Sequence, residues 1–187
     1  MPGYHSRLLV IDLNVQQHDI QPIQPERFHK YIGGSSLAAR LFLEARGTHI
    51  EPLAPESPLL IMTGPPAGTT FSVSSRFVTC ARSPLTHIWG ESASGGTFGA
   101  ELKKAGLDGI PITGCAEKPV VIFIDDAVVD IHLAEVLWIF EAQIIGDNGG
   151  HRCAAHLGAV TCEKGWFQPI LGSLRAYEDH PHRLLVH

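Results

Sequence analysis

A glycine-rich segment, Ser94–Gly99, has the residue types and spacing best suited to ligand chemistry in this chain. It reads Ser-Gly-Gly-Thr-Phe-Gly and leads directly into a stretch with helical character. The first backbone N–H groups of a helix lack intrahelical acceptors, and the positive end of the helix dipole lies among them. The segment therefore predicts a binding place for phosphate. The alternative is a tight turn whose glycines serve packing alone, because such turns are common.

Cysteine and histidine, the usual protein ligands of zinc and iron–sulfur clusters, follow no standard spacing here. Two histidines and two cysteines near the C-terminus could form a zinc site: His151, Cys153, His156 and Cys162. Their spacing matches no standard zinc-knuckle pattern, so incidental residues are the alternative. None of the four cysteines forms a CxxC pair, and an iron–sulfur cluster on this chain alone is not expected. Cys80 and Cys115 are expected to be small core residues.

Composition limits the function classes. The 187 residues are 44% hydrophobic and 18% charged, which is typical of a globular protein. The formal net charge of −5 argues against a general nucleic-acid binder. No apolar run is long enough to span a bilayer and the N-terminus lacks a signal-peptide pattern, so we expect a cytoplasmic protein without membrane contact. No nucleophile has a base at a telling local spacing, so no catalytic residue is assigned.

The elements that must position the glycine-rich segment are mostly short strands. Strands are predicted at Arg7–Leu13, Leu59–Thr63, Arg76–Ala81, His87–Glu91, Gly109–Gly114, Val120–Asp125 and Ala127–His132. Helices are predicted at Phe28–Arg46 and Phe98–Ala105, the second ending at Gly106. The charged residues Glu101 and Lys103-Lys104 of that helix are expected to face solvent. Because strands follow one another without crossover helices, the pattern predicts an α+β fold that is β-rich, with largely antiparallel sheets.

The character of the chain changes near Trp138. Residues 1–138 form the predicted domain. Residues 139–187 carry no clear hydrophobic period, which predicts a divergent, irregular tail. Either this tail is poorly packed or it is the remnant of a longer segment.

A series of short motifs runs in a fixed order from Gly3 to Trp138. They are Gly3-Tyr4, Leu8–Leu13, Tyr31–Gly34, Leu37–Leu41, Pro52–Glu56, Thr63–Pro65, Ser75–Phe77, Ser83–Thr86, Ser94–Gly96, Phe98–Lys103, Ala105–Asp108 and Gly114–Val120. Any one motif is weak, but the ordered set is highly specific. Together they resemble the N-terminal domain of the tungsten-containing aldehyde ferredoxin oxidoreductases.

The resemblance implies a β-rich base under a bis-pterin (molybdopterin) cofactor that holds tungsten or molybdenum. In that family, later helical domains cover the cofactor and supply the cysteines of a [4Fe–4S] cluster. For this chain they would be missing C-terminal domains or a separate subunit. The implied reaction is oxidation of an aldehyde to a carboxylic acid, with electron transfer through the cluster to ferredoxin. A homodimer is a further expectation.

By resemblance, the predicted cofactor-binding set is Arg76, Ala93, Ser94, Gly95 and Gly96. A guanidinium fork suits phosphate or the polar edge of a pterin, and glycine lets the backbone approach a ligand closely. For Arg76 the alternative is a solvated strand residue. Ala93 departs from the family, which commonly has Asn there, with its carbonyl helping to hold magnesium between the pterin phosphates. A backbone carbonyl would survive this change, whereas side-chain contacts would not. No residue is assigned as a metal ligand.

Two hypotheses follow from these observations. In the first, the chain is an oxidoreductase component that binds one face of the pterin. In the second, it is a non-catalytic fragment that folds or binds a pterin without redox activity. The family often has Arg in the glycine turn near the start of the chain, but here the Gly33-Gly34 turn is followed by Ser35-Ser36. The face bearing Arg76 and Gly95 is expected to be open, because covering domains are absent from this chain.

Overall fold

The structure, a computed structural model, describes residues 3–72, 74–118, 120–125 and 128–133, together with the backbone of residues 144–146 and 154–158. The elements in chain order are β1 (Arg7–Asp12), β2 (Gln17–Pro22), α1 (Pro25–Tyr31), α2 (Gly34–Glu44), β3 (Leu59–Thr63), β4 (Phe77–Arg82), β5 (Trp89–Ser94), α3 (Phe98–Lys104), β6 (Gly109–Thr113), β7 (Val120–Asp125), β8 (Val128–Leu133), β9 (Ile144–Gly146) and β10 (Ala154–Gly158). None of the described helices is long and apolar enough to cross a membrane.

Two sheets organise these elements. The larger has six strands in the order β2-β1-β6-β3-β4-β5, in which β1 and β6 run parallel and all other neighbours run antiparallel. The smaller has the order β8-β7-β10-β9, with antiparallel neighbours throughout. These sheets and the short helices confirm the predicted β-rich α+β fold with largely antiparallel pairing.

The central strands of the six-stranded sheet are buried on both faces, because their apolar residues alternate between two cores. Leu9 and Ile61 belong to the core between this sheet, α3 and the smaller sheet. Their neighbours Leu8 and Met62 belong to the other core, which α1 and α2 cover. Successive side chains of a strand point to opposite faces, which explains the continuous apolar runs of β1 and β3.

Two elements differ from the sequence prediction. The pattern does not predict β2, because this strand lies at the sheet edge and nearly all its residues are exposed. The single helix predicted over Phe28–Arg46 is wrong, since two helices, α1 and α2, occupy this region. The Gly33 N–H donates to the Tyr31 carbonyl at 2.6 Å, and Ile32 has a φ of 62°. This γ-turn breaks the helix.

Two strands lie within the predicted tail, residues 139–187. β10 pairs with β7 and with β9, and α3 contacts both β9 and β10, so these two stretches are regular. The rest of the tail lies outside the described residues, as do three of the four candidate zinc ligands. Of His156 only the backbone is described. The division at residue 138 stays a prediction.

One end of the six-stranded sheet contains the segments that the sequence singles out. Thr63, Phe77 and Ser94 are aligned there across β3, β4 and β5. Asp108 lies at the same end, because its carbonyl accepts a hydrogen bond from the Thr63 N–H at 3.0 Å. This end of the six-stranded sheet is termed the Thr63 end. It comprises the C-terminal ends of β3 and β5 and the N-terminal ends of β1, β4 and β6.

Candidate cofactor site

The β4–β5 ladder brings Arg76 and Gly95 together at the Thr63 end. Phe77 and Ser94 form the last register pair of that ladder, and Ser94 is half-buried. Arg76 directly precedes Phe77, and Gly95 directly follows Ser94, so the two predicted cofactor contacts lie side by side. The register of one hairpin thus joins residues that are well separated in sequence.

The glycines of the turn are open to solvent. Among the described residues, no atom would lie within 4 Å of a Cβ added to Gly95 or to Gly96. Gly99 is different, because a Cβ there would overlap the Ser75 carbonyl oxygen. Gly96 has a φ of 91°, in the left-handed region that favours glycine, whereas Gly95 has no such requirement. Neither packing nor backbone conformation explains Gly95, and an uncovered backbone is what a closely bound ligand needs.

Arg76 is exposed at the start of β4. Within the described part of the chain, no hydrogen bond or ion pair holds its guanidinium. Its backbone is fixed, however, because Gly99 of α3 packs against the carbonyls of Ser75 and Arg76. A guanidinium with a fixed base and an unoccupied fork can reach a phosphate at the neighbouring turn.

Ala93 presents its backbone to the outside of the sheet. The Ser83 N–H donates to the Ile88 carbonyl at 2.9 Å, and this bond fixes which pairs of the β4–β5 ladder are hydrogen-bonded. Hydrogen-bonded and non-hydrogen-bonded pairs alternate along an antiparallel ladder, so Val78 and Ala93 form a non-hydrogen-bonded pair. Because β5 is an edge strand, the N–H and C=O of such residues point away from the sheet. Three residues of β5 share this orientation: Trp89, Glu91 and Ala93. No strand in the described part of the chain pairs with this side of β5, so the carbonyl at position 93 can contact a cation, whereas the Asn side chain expected from the resemblance is absent.

Helix α3 begins directly after the turn and is anchored by Phe98. The Phe98 ring is buried, and its centroid lies 4.7 Å from that of Phe77. The first helical hydrogen bond runs from the Glu101 N–H to the Thr97 carbonyl at 3.0 Å, so earlier N–H groups have no acceptor within the helix. Gly106, with a φ of 77°, follows the last turn, as predicted.

A second open glycine lies at the Thr63 end. A Cβ on Gly33 would approach the Thr63 carbonyl oxygen to 3.1 Å, which places the start of α2 here. Gly34 has a φ of 54°, and a Cβ there would meet nothing within 4 Å. Sequence reasoning read this glycine pair only as a turn, although a glycine doublet before a helical run was the available signal. Two helices on opposite faces of the sheet thus begin at this end with uncovered glycine.

The charged residues of α3 contradict the predicted solvated face. Glu101 and Lys103 are each 4% exposed, and only Lys104 is exposed. The Lys103 ammonium forms an ion pair with the Asp108 carboxylate and donates to the Gly3 carbonyl at 2.9 Å. The prediction fails because the smaller sheet and the N-terminal segment both pack on this short helix, which leaves little of it to solvent.

Asp108 connects the segments around this helix. Its carboxylate accepts hydrogen bonds from the backbone N–H groups of His5 and Ser6, at 3.0 and 2.6 Å. Its carbonyl accepts from the Thr63 hydroxyl at 2.9 Å. Burial, and then the charge of Asp108, raise the pKa of the Tyr4 phenol above its ordinary value. A buried charge is tolerated when it is both paired and hydrogen-bonded, and Asp108 meets both conditions.

The described cysteines are poorly suited to hold a metal cluster. Cys80 is fully buried, which confirms its predicted core position. Burial, and then the charge of Glu91, raise the pKa of the Cys80 thiol to about 12, so it stays protonated near neutral pH. Cys115 is only half-buried, so the core prediction is wrong there. Among the residues that the structure describes, no three Cys, His, Asp or Glu side chains converge on a metal position.

Comparison with known proteins decides the family. The family model described as "Aldehyde ferredoxin oxidoreductase, N-terminal domain" matches residues 8–153. This chain belongs to the aldehyde ferredoxin oxidoreductase family. The resemblance found in the sequence is thereby confirmed.

Relatives of this family member include tungsten-containing enzymes. The chain is 37% identical over 138 residues to the tungsten-containing aldehyde ferredoxin oxidoreductase of Pyrococcus furiosus, and 38% identical over 138 residues to that of Thermococcus kodakarensis. It is 32% identical over 141 residues to the aliphatic sulfonate oxidoreductase, WOR-like subunit, of Pyrococcus furiosus. Each match covers 74% of this chain, but 23%, 23% and 22% of the relatives. The chain therefore spans less than a quarter of their length.

A solved structure shares the fold of this family member. It is the active site complex BamBC of benzoyl coenzyme A reductase in complex with 1,5 dienoyl-CoA. The TM-score is 0.71 at 26% identity, over 75% of this chain and 21% of that chain. Together these comparisons support a member of a tungsten-containing oxidoreductase family.

Proposed function

We propose that this chain is the cofactor-binding base of an oxidoreductase and holds one face of a tungsten or molybdenum pterin at the Thr63 end. The observation that carries the proposal is the uncovered turn beside an exposed arginine. A Cβ on Gly95 or Gly96 would have nothing within 4 Å, and Arg76 lies next to them. A turn built for packing alone would be covered by other atoms, as Gly99 is.

Each predicted residue has a physical role toward such a ligand. Arg76 pairs with a cofactor phosphate through two N–H donors. The backbone N–H groups of Gly95 and Gly96 donate to the same anionic group, and Ser94 closes the ladder that holds the turn. The outward carbonyl of Ala93 would offer an oxygen ligand to a magnesium ion bound with the cofactor. When bound, the cofactor supplies the redox chemistry at its metal, while these residues bind and orient it.

The reaction in this proposal is the oxidation of an aldehyde to a carboxylic acid. The aldehyde would gain the oxygen of a water molecule and release two electrons and two protons, and a [4Fe–4S] cluster outside this chain would carry the electrons to ferredoxin. The names of the tungsten-containing relatives support this substrate class. In this proposal the cysteines of the cluster belong to further domains or to a separate subunit, since the four cysteines of this chain form no CxxC pair. A cytoplasmic location and a homodimer complete the proposal.

A second candidate is a pterin-binding module without redox activity of its own. It is favoured by the chemistry of the groups at the turn, which can bind a ligand but include no carboxylate, imidazole or thiol. Arg76 offers hydrogen-bond donors, and the glycines offer only backbone groups. Glu101, on the adjoining helix, is buried and held by the Lys104 ammonium at 2.7 Å.

The first test is the metal and pterin content of the chain expressed with tungstate or molybdate. Wild-type protein is expected to co-purify with both. Arg76→Met should lose about tenfold or more of the bound pterin, because a charge-assisted pair to phosphate is removed. Arg40→Met is the control, since it removes an exposed arginine that is paired with Glu44 on α2. Wild-type protein free of metal and pterin would overturn the proposal.

A second test separates the two candidates. Aldehyde-dependent dye reduction is measured for the metal-loaded chain, alone and with a separately encoded C-terminal partner that carries cluster cysteines. Activity that appears on adding the partner supports the oxidoreductase component. Bound metal and pterin with no activity under either condition support the binding module.

A further inference from the structure

We infer that the buried pair Lys103–Asp108 positions the glycine turn by fixing helix α3. The inference rests on the proposed function, because the placement of the turn matters only if the turn holds a ligand. Lys103 and Asp108 are 4% and 1% exposed, so neither touches a ligand at the turn. They are positioning residues that act through the backbone.

Helix α3 depends on its surroundings for its position. It contains seven residues, Phe98–Lys104, and a helix this short is unstable on its own. Tertiary contacts must therefore fix where it lies. Its first residues adjoin the glycine turn, and its last turn carries Lys103.

Lys103 holds the C-terminal half of α3 in place through three partners. Its ammonium pairs with the Asp108 carboxylate, donates to the Gly3 carbonyl at 2.9 Å, and lies 5.6 Å from the centre of the Tyr4 ring. Gly3 and Tyr4 precede β1, and Asp108 precedes β6. The ammonium thus connects the helix to the segments that precede β1 and β6. Because the ion pair is buried, salt screens its electrostatic attraction only weakly.

The segment after β3 adds a second hold on the same helix. A Cβ on Gly68 would lie 2.9 Å from the Lys103 Cβ and 3.3 Å from the Ala100 carbonyl oxygen. Asp108 binds Thr63, the last residue of β3, through its carbonyl. Helix α3 is therefore fixed to β1, β3 and β6 at their Thr63 ends.

Displacement of α3 would reach the proposed site directly. Gly99 packs against the carbonyls of Ser75 and Arg76, with the Arg76 oxygen 3.3 Å from the position of a Cβ. The turn Gly95–Gly96 leads into the same helix. A small rotation of α3 would change the distance between the turn and the Arg76 backbone, and both groups must meet one ligand.

Backbone ¹⁵N relaxation of the ligand-free chain tests the inference without requiring a cofactor. Lys103→Met/Asp108→Asn removes both charges together, so no buried charge is left unpaired. We expect order parameters at Gly95–Thr97 to fall from about 0.85 in the wild type to below about 0.6, while the central strands stay rigid. Lys30→Met, which removes an exposed lysine on α1, is the matched control and should leave the turn unchanged.

A stability control excludes a general loosening of the protein. Val129→Ala shortens a buried side chain in β8, in the smaller sheet. Its order parameters at the turn are compared with those of the double variant under conditions where both have lost the same free energy of unfolding. A turn that stays rigid in the double variant, or that loosens equally in Val129→Ala, would overturn the inference. If the double variant does not fold, Lys103→Arg is measured instead, because it keeps the positive charge but changes the shape of the side chain. Unchanged order parameters at the turn in that variant would also overturn the inference.

The pterin content of the same variants distinguishes this inference from the proposed function. Wild-type protein without pterin, combined with a turn loosened in the double variant, would leave the positioning role standing and remove the proposed function. If the wild type binds pterin but the turn of the double variant stays rigid, the proposed function stands and the positioning role is overturned.

Discussion

The two ends of helix α3 differ in how their polar groups are treated. Before its first residue, Gly95 and Gly96 are uncovered and Arg76 is exposed. At its other end, Lys103 and Asp108 are buried and hydrogen-bonded to several segments. Polar groups at the surface are satisfied by water, which a ligand can displace, whereas buried groups must find partners within the protein. One helix thus has an end suited to binding and an end suited to holding the fold.

The largest expected effect is the loss of the Lys103 charge alone. Lys103→Met leaves the Asp108 carboxylate buried without its counter-ion, so we expect the free energy of unfolding to fall by about 3–5 kcal/mol. Arg76→Met removes a charge at the other end of the helix, where the side chain is exposed. That change should cost less than about 1 kcal/mol. Urea unfolding of both variants measures the difference, and equal losses would contradict the division between the two ends.

Glycine substitutions in the two regions are expected to change stability by an intermediate amount. Gly99→Ala drives a Cβ into the Ser75 carbonyl and should destabilise the protein by about 1–3 kcal/mol. Gly95→Ala meets open space and should change stability by no more than about 0.5 kcal/mol. Thermal unfolding at fixed pH gives both values. A costly Gly95→Ala would mean that the turn is covered in solution.

The smallest effect is a pH dependence at the buried end. The pKa of Tyr4 is raised above 10.0 by burial and by the charge of Asp108, so the folded state holds the phenol proton more tightly than the unfolded state. This contribution to stability is present below about pH 10 and is lost as the pH rises through the folded-state pKa. Wild-type stability should therefore fall more steeply than that of Tyr4→Phe above this pH. Urea midpoints of the two proteins across that range provide the measurement, and parallel curves would count against it.

The sequence predicts those features whose physical cause is local. The turn at Ser94–Gly99 and the glycine stop at Gly106 are examples, because glycine content and apolar spacing determine both. The approach of Arg76 to Gly95 followed only from resemblance, since it depends on the register of a hairpin. The exposed edge strand β2 has no apolar alternation to detect.

The buried position of Lys103 could not be predicted for a different reason. Its partner, Asp108, lies beyond the end of the helix, where the usual three- and four-residue spacing of helical ion pairs does not apply. Two adjacent lysines on a short helix therefore predict side chains that are exposed to solvent. Only the tertiary arrangement, with the N-terminal segment packed on α3, brings the two charges together.

The outward backbone of β5 has a consequence for self-association. Among the described strands, none pairs with the outward N–H and C=O groups of Trp89, Glu91 and Ala93, so another strand could extend this edge. Two copies joined antiparallel through all three positions would place Glu91 opposite the same residue of the second copy. Like charges directly opposite each other destabilise a sheet, so this edge resists growth into fibres or stacked dimers. The strand that ends in the glycine turn is thereby kept accessible.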